Sequence, residues 1–93
     1  LVLDTSKKSI TRGEQEIELT GKEYEVLEYL MQNKNRILSR EQIKQHVWDY
    51  NYEGDSNIID VLIKNIRKKI DVEDGKQIIY TKRGLGYVIR EEK

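Results

Sequence analysis

A short turn near the carboxyl end of the chain concentrates groups that could bind a polyanion. Its residues are Lys82-Arg83-Gly84-Leu85-Gly86, which supply two cations and two glycines. Glycine permits positive φ and lets a backbone approach a partner closely, and an arginine on such a turn can enter a narrow minor groove, where the potential of DNA is most negative. The turn therefore predicts contact with DNA, although turn formation alone would also account for both glycines.

A second set of residues shares one face of a predicted helix in the same half of the chain. The apolar stripe of this helix, with spacings of three and four, is formed by Ile59, Leu62, Ile63, Ile66 and Ile70. The opposite stripe consists of Asn57, Val61, Lys64, Asn65 and Lys68. Amides can read adenine edges, lysines can reach guanine or phosphate, and valine can contact a thymine methyl. This stripe predicts a major-groove contact, although a solvated helix face would carry the same residue types.

Arg67 lies between the two stripes, two turns away from Asp60. An ion pair between these side chains would steady the helix, and a contact between Arg67 and a base is the alternative.

The charges are unevenly distributed along the chain. The formal net charge is zero, yet residues 1–55 carry eight Lys or Arg against eleven Asp or Glu, whereas residues 56–93 carry nine against six. Such a charge dipole suggests an anionic partner on one face. An ordinary solvated surface is the alternative that composition leaves open.

Length and composition exclude several classes of function. The 93 residues suffice for one domain with a single modest core. The chain lacks cysteine, and its one histidine, His46, cannot form a metal site without distant carboxylates. Since phosphate-binding glycine loops are also missing, we expect neither an enzyme nor a cofactor. Apolar runs of at most three residues exclude a membrane span, and we expect a cytoplasmic protein.

Short strands are predicted at both ends of the chain, with helices between them. An amino-terminal antiparallel sheet is predicted from residues 1–3, 9–12 and 15–19. A carboxy-terminal hairpin around the cationic turn is predicted from residues 77–81 and 87–90. Residues 49–56 are polar and rich in turn formers, so they predict a loop.

Two helices are predicted to begin with the same capping pattern. Thr20 can cap the first helix and Glu23 can complete a capping box, while Ser39 and Gln42 occupy the same positions in the second. We expect the first helix to end within residues 33–35 and the second to end near Trp48.

Taken together, these segments resemble the effector domain of OmpR/PhoB-type response regulators. The matching motifs are Leu19-Thr20 with Glu23-Tyr24, Ser39-Arg40-Glu41-Gln42-Ile43, Val47-Trp48, Ser56-Asn57-Ile58-Ile59-Asp60-Val61, Ile66-Arg67-Lys68-Lys69-Ile70 and Thr81-Lys82-Arg83-Gly84-Leu85-Gly86-Tyr87. The resemblance implies an α+β winged helix-turn-helix with an amino-terminal antiparallel sheet, usually of four strands, three helices and a carboxy-terminal β-hairpin wing. It implies that residues 1–93 are one DNA-binding effector domain, without the family's phosphorylated receiver domain.

The resemblance also implies roles for individual residues. The family's base-reading positions match Val61, Lys64, Asn65 and Lys68. Its phosphate-contacting positions match Trp48, Asn57, Ile58, Thr81 and Tyr87, and its minor-groove arginine matches Arg83. The loop that touches RNA polymerase in some relatives corresponds to residues 49–56, with Tyr50, Asn51, Tyr52 and Glu53 as the candidate contacts.

Three positions depart from the family pattern. Asn57 stands where a basic residue is common, Ile58 replaces a common threonine, and Leu62 replaces a common histidine. The loss of a charge and a hydroxyl implies weaker phosphate anchoring at the start of the third helix.

Members of the family bind paired direct repeats as head-to-tail dimers, so the implied partners are double-stranded DNA, a second copy of the chain and RNA polymerase. A receiver domain is expected in the full-length chain, and no membrane partner is expected.

The competing hypothesis is a winged-helix protein-interaction module, in which Tyr50, Tyr52 and the basic face bind another protein without DNA.

Overall fold

A computed structural model describes residues 2–4, 6–7, 9–12, 14–48, 54–55, 57–70 and 78–90. The elements follow the order β1 Val2–Asp4, β2 Ser9–Arg12, β3 Gln15–Glu18, α1 Gly21–Gln32, α2 Arg40–Val47, α3 Asn57–Ile70, β4 Ile79–Lys82 and β5 Gly86–Ile89. The predicted sheet, three helices and hairpin are therefore present, and the ends that were predicted differ from the observed ones by at most two residues.

The amino-terminal sheet is antiparallel, with the order β1-β2-β3. Ile10 of β2 pairs with Ile17 of β3, and both side chains are buried, whereas Glu16 and Glu18 are exposed. Alternation of this kind places one face of the sheet against the core and the other in water. Within the described residues this sheet has three strands, rather than the four that are usual in the family.

Both predicted capping boxes are present. The Glu23 backbone N–H donates to Thr20 Oγ1 at 3.3 Å, and the Thr20 N–H donates to Glu23 Oε1 at 3.1 Å. The Gln42 N–H donates to Ser39 Oγ at 3.0 Å, with Gln42 Oε1 accepting from the Ser39 N–H at 2.8 Å. Each cap satisfies backbone donors that the first turn leaves unpaired, which typically contributes about 1 kcal/mol.

The core lies where α3 meets α1 and the wing. Four isoleucines of α3 are almost fully buried: Ile59, Ile63, Ile66 and Ile70. Val26, Leu27 and Leu30 of α1, with Ile79 and Ile89 of the hairpin, belong to the same cluster. Leu62, which the apolar stripe placed in the core, is only half-buried and packs at its margin.

The loop after α1 pairs with the hairpin, a connection that the sequence did not predict. Leu38 exchanges two backbone hydrogen bonds with Tyr87, at 2.8 and 2.9 Å, and the Asn35 N–H donates to the Ile89 carbonyl at 2.9 Å. Strand β5 is therefore bonded on one side to β4 and on the other to the segment that leads into α2. This pairing fixes the base of the hairpin against the helices.

Glu23 also connects α1 to α3, because its carboxylate accepts from Lys69 Nζ at 2.6 Å while remaining buried. Burial alone would raise the pKa of Glu23. The hydrogen bond from Lys69, those from Thr20 and the Lys69 charge outweigh burial, so the pKa lies below its ordinary value of 4.5.

Glu23→Gln keeps an acceptor for the Thr20 N–H and removes the charge. We expect a loss of about 1 kcal/mol in the free energy of unfolding at pH 7. A carboxyl whose pKa is lowered by folding stabilises the fold above its unfolded pKa, and this contribution disappears as the pH falls through the folded value. The difference between wild type and Glu23→Gln should therefore shrink below about pH 4.5, as measured by urea unfolding from pH 7 to 3.

The matched control is Glu25→Gln, because Glu25 lies on the same helix and pairs with Lys22 at 3.4 Å in an exposed position. We expect this control to change stability little. A difference between wild type and Glu23→Gln that stays constant over the whole pH range would contradict the linkage.

Candidate nucleic-acid interface

Helix α3 presents one polar face outward. Val61 is 51% exposed, and Asn57, Lys64 and Lys68 are exposed on the same helix. Asn65 is half-buried. The residues that spacing placed on one stripe therefore do share one accessible surface. Because amide, ammonium and small apolar groups stand together here, this surface has the donor and acceptor types that base edges require.

The hairpin turn carries its charge at an exposed tip. The Leu85 N–H donates to the Lys82 carbonyl at 2.8 Å and closes the turn, while Gly84 adopts a φ of 77°. Arg83 is exposed, and Leu85 beside it is 63% exposed. The guanidinium therefore stands at the far end of the hairpin, where a nucleic-acid groove could receive it.

Gly86 has a different role from the one that the sequence suggested. Its φ is 136°, and a Cβ built on it would lie 2.0 Å from the Leu38 carbonyl oxygen. Its lack of a side chain therefore permits the pairing of β5 with Leu38, an approach within the protein rather than toward DNA. Gly84, in contrast, has open space where a Cβ would stand.

Of the two alternatives for Arg67, the ion pair with Asp60 is not formed, because each of these side chains has another partner. Arg67 Nη2 donates to the Ile79 carbonyl at 3.1 Å and to Thr81 Oγ1 at 2.7 Å. The Asp60 carboxylate accepts from Arg40 Nη1 at 2.9 Å and from the Tyr87 hydroxyl. Arg67 therefore connects α3 to the hairpin, and Asp60 connects α3 to both α2 and the hairpin.

The hydroxyl of Tyr87 is a fixed donor at neutral pH. Burial, the hydrogen bond to Asp60 and the charge of Asp60 together raise the pKa of Tyr87 to about 12. Tyr87 is only 7% exposed, and the Arg67 guanidinium lies 5.7 Å from the centroid of its ring. Tyr87 thus belongs to the junction between α3 and the hairpin.

Comparison with known proteins identifies this arrangement. Residues 14–89 match the family model described as transcriptional regulatory protein, C terminal. The chain belongs to this family of OmpR/PhoB-type effector domains. The hairpin is therefore the wing of a winged-helix domain, and α3 occupies the position of the family's third helix.

Individual relatives of this effector domain support the same assignment. The chain is 44% identical over 90 residues to the response regulator ArlR of Staphylococcus aureus, covering 97% of this chain and 41% of ArlR. It is 42% identical over 90 residues to the transcriptional regulatory protein YkoG of Bacillus subtilis, with 97% and 40% covered. The chain thus spans about two fifths of the length of these curated relatives.

The solved DNA-binding domain of CpxR from E. coli matches the fold of this effector domain with a TM-score of 0.79. That match has 32% identity and covers 95% of this chain and 87% of that structure.

The positions that the resemblance predicts to contact phosphate lie in different environments in this effector domain. Asn57 is exposed, but its side chain already accepts from Arg40 and donates to Asp55, at 3.3 Å each. Thr81 is exposed with its hydroxyl bound to Arg67, Tyr87 is buried, and Trp48 and Ile58 are half-buried against the core. The polar groups at Asn57, Thr81 and Tyr87 therefore already have partners within the protein.

The candidate polymerase contacts Tyr50, Asn51, Tyr52 and Glu53 lie outside the described residues.

The sequence pattern did not indicate Arg40, whose hydrogen bonds to Asp60 and Asn57 connect α2 to α3. Its position one residue after the Ser39 cap gave no signal for this role. Within the described part of the chain, no helix is long and apolar enough to cross a membrane.

Proposed function

We propose that this effector domain binds double-stranded DNA sequence-specifically and controls transcription as part of a two-component response regulator. Helix α3 would occupy the major groove, with Val61, Lys64, Asn65 and Lys68 reading bases. The wing would enter the adjacent minor groove through Arg83. The full-length protein would carry the receiver domain that its phosphorylation signal requires.

One observation carries this proposal: side-chain hydrogen bonds join α3, which has an exposed polar face, to the wing, which has an exposed cationic turn. The hydrogen bonds between Asp60 and Tyr87 and between Arg67 and Thr81 hold α3 against the wing. Reading two neighbouring grooves requires two elements held in a fixed relation, because the grooves are separated by one strand of the phosphate backbone. A single charged patch would give only phosphate binding.

The remaining contacts follow from this placement. Thr81 and Asn57, which are both exposed, would meet the phosphates that border the major groove, and Trp48, Ile58 and Tyr87 would be the other phosphate-contacting positions. Two copies would bind head-to-tail on direct repeats. Tyr50, Asn51, Tyr52 and Glu53 would lie in the loop that faces RNA polymerase. None of these steps needs a cofactor or a chemical reaction.

The test is selection of bound sequences from a random DNA pool, followed by anisotropy titrations of the 93-residue chain at several salt concentrations. We expect enrichment of a short site, and a fall of about 0.9 in log affinity per phosphate contact for each log unit of salt. Enrichment of no sequence would contradict base reading.

The competing protein-interaction module predicts a different result in the same titrations. It would keep its partner at high salt and ignore DNA, since its binding would not depend on counterion release.

A further inference from the structure

A cleft of about 460 Å³ lies between the wing and the beginnings of α2 and α3. Its walls are formed by Ser39, Arg40 and Glu41 on the α2 side, by Asp60 on α3, and by residues 81–87 on the wing. The tip of the wing is therefore not packed directly on the helices. The Leu38–Tyr87 pairing fixes the base of the wing, and contacts that cross this gap add a restraint on its position relative to α3.

Asp60 makes such contacts to two other elements. Its Oδ2 accepts from Arg40 Nη1 of α2 at 2.9 Å, and its Oδ1 accepts from the hydroxyl of Tyr87 in β5. Tyr87 follows Gly86, the residue at which the wing turn joins β5. One carboxylate of α3 thus holds α2 on one side and the end of the wing turn on the other.

The chemistry of these two bonds suits a fixed joint. Hydrogen bonds to an ionised acceptor are shorter and stronger than neutral ones, and two donors from different elements restrain the carboxylate in direction as well as distance. The raised pKa of Tyr87, about 12, keeps its proton available for this bond. Arg67, seven residues along the same helix, holds β4 through Ile79 and Thr81.

The charge of Asp60 is otherwise unfavourable in this place. It is the one acidic residue in α3, and its side chain is 40% exposed. On a surface that meets phosphates, an acidic side chain lowers the affinity for DNA by like-charge repulsion. Electrostatics alone therefore predicts that removal of Asp60 strengthens DNA binding.

We propose that Asp60 is a positioning residue for DNA recognition, which fixes the wing relative to α3 so that Arg83 and the helix reach adjacent grooves together. Asp60 itself does not contact DNA. The inference rests on the proposed function, since it concerns the geometry of that same interface. By this proposal Asp60 raises the affinity for DNA, although its negative charge alone would lower that affinity.

The experiment is a double-mutant cycle with Asp60→Ala and Arg83→Ala, on a selected site that has an A·T-rich minor groove beside the major-groove sequence. We expect Asp60→Ala to weaken binding about tenfold, within the range of measured coupling between interacting residues. Arg83→Ala lowers the affinity by some factor in the wild-type background. In the Asp60→Ala background we expect that factor to be less than about a third as large.

Two further variants separate positioning from charge and from folding. Glu41→Ala removes an equal charge from the wall of the same cleft, where Glu41 pairs with Lys44, and should bind as well as wild type or better. Tyr87→Phe breaks the same tie from the wing without a change of charge, and should reduce the Arg83→Ala factor as Asp60→Ala does. Urea unfolding of each variant gives the folded fraction, by which the affinities are corrected.

The inference is overturned if Asp60→Ala binds DNA as well as or better than wild type, or if the Arg83→Ala factor is the same in both backgrounds. It is also overturned if Arg83→Ala binds like wild type, because there is then no minor-groove contact to position. Failure of the wild-type chain to bind any selected DNA would instead contradict the proposed function.

Discussion

Gly86→Ala is expected to lower the free energy of unfolding by about 4 kcal/mol, from an unfavourable backbone conformation combined with overpacking. The new Cβ would lie 2.0 Å from the Leu38 carbonyl oxygen and 2.8 Å from Ser39 Cα. Both are backbone atoms, so no side-chain rotation relieves the clash. The φ of 136° at Gly86 also lies in a region that a residue with a Cβ rarely adopts. Urea unfolding of wild type and variant measures the loss.

The size of this effect matters because small domains have only about 5–15 kcal/mol of stability in total. The two backbone hydrogen bonds between Leu38 and Tyr87 would have to lengthen in the variant. These hydrogen bonds fix the base of the wing. DNA binding at temperatures where the variant remains folded should therefore also weaken.

Gly84→Ala is the matched control, two residues away in the same wing. Gly84 has a φ of 77° and open space around a built Cβ, so only the backbone conformation is penalised. We expect a loss of about 1 kcal/mol. Equal losses at the two glycines would show that the close approach of Gly86 to Leu38 does not determine the cost.

Asn65→Ala is expected to weaken binding to the selected DNA site by about tenfold, because a good amide pair with an adenine edge contributes about 1–3 kcal/mol of discrimination. Binding to unrelated DNA should stay unchanged, since the side chain is neutral and the non-specific component of binding is electrostatic. Anisotropy titrations on both DNAs at one salt concentration measure the two affinities.

Lys64→Ala, on the same face of α3, provides the comparison. Loss of a cation from this face should weaken binding to both DNAs, because the electrostatic component of binding does not depend on sequence. If Asn65→Ala instead weakened binding to both DNAs equally, Asn65 would contribute to folding or phosphate binding rather than to base reading.

The sequence was sufficient wherever a signal acts within one or two turns of the chain. Thr20 with Glu23 and Ser39 with Gln42 stand three residues apart, so the capping boxes could be predicted from spacing alone. The isoleucines of α3 repeat at spacings of three and four, and that period decided which face would be buried. The exposed stripe followed as the opposite face of the same helix.

The candidate site was predictable to the same extent. The position of Arg83 in an exposed turn followed from two strand-like runs and the glycines between them. The environments of the positions predicted to contact phosphate could not be predicted from the sequence. Tyr87 is buried with its hydroxyl on Asp60, and Asn57 is engaged by Arg40 and Asp55, because contacts between elements determine which polar groups remain available.

Sequence by itself determined the elements of this protein, the capping of α1 and α2 and the face that each helix buries, since those depend on backbone hydrogen bonds and periodicity among near neighbours. Only the tertiary structure decided that Gly86 lies against Leu38, that Asp60 binds Arg40 and Tyr87, and that Arg67 reaches Thr81. These partners are 14 to 48 residues apart in the chain. Their meeting depends on how the apolar faces of α1, α3 and the wing pack together, which is a property of the whole core.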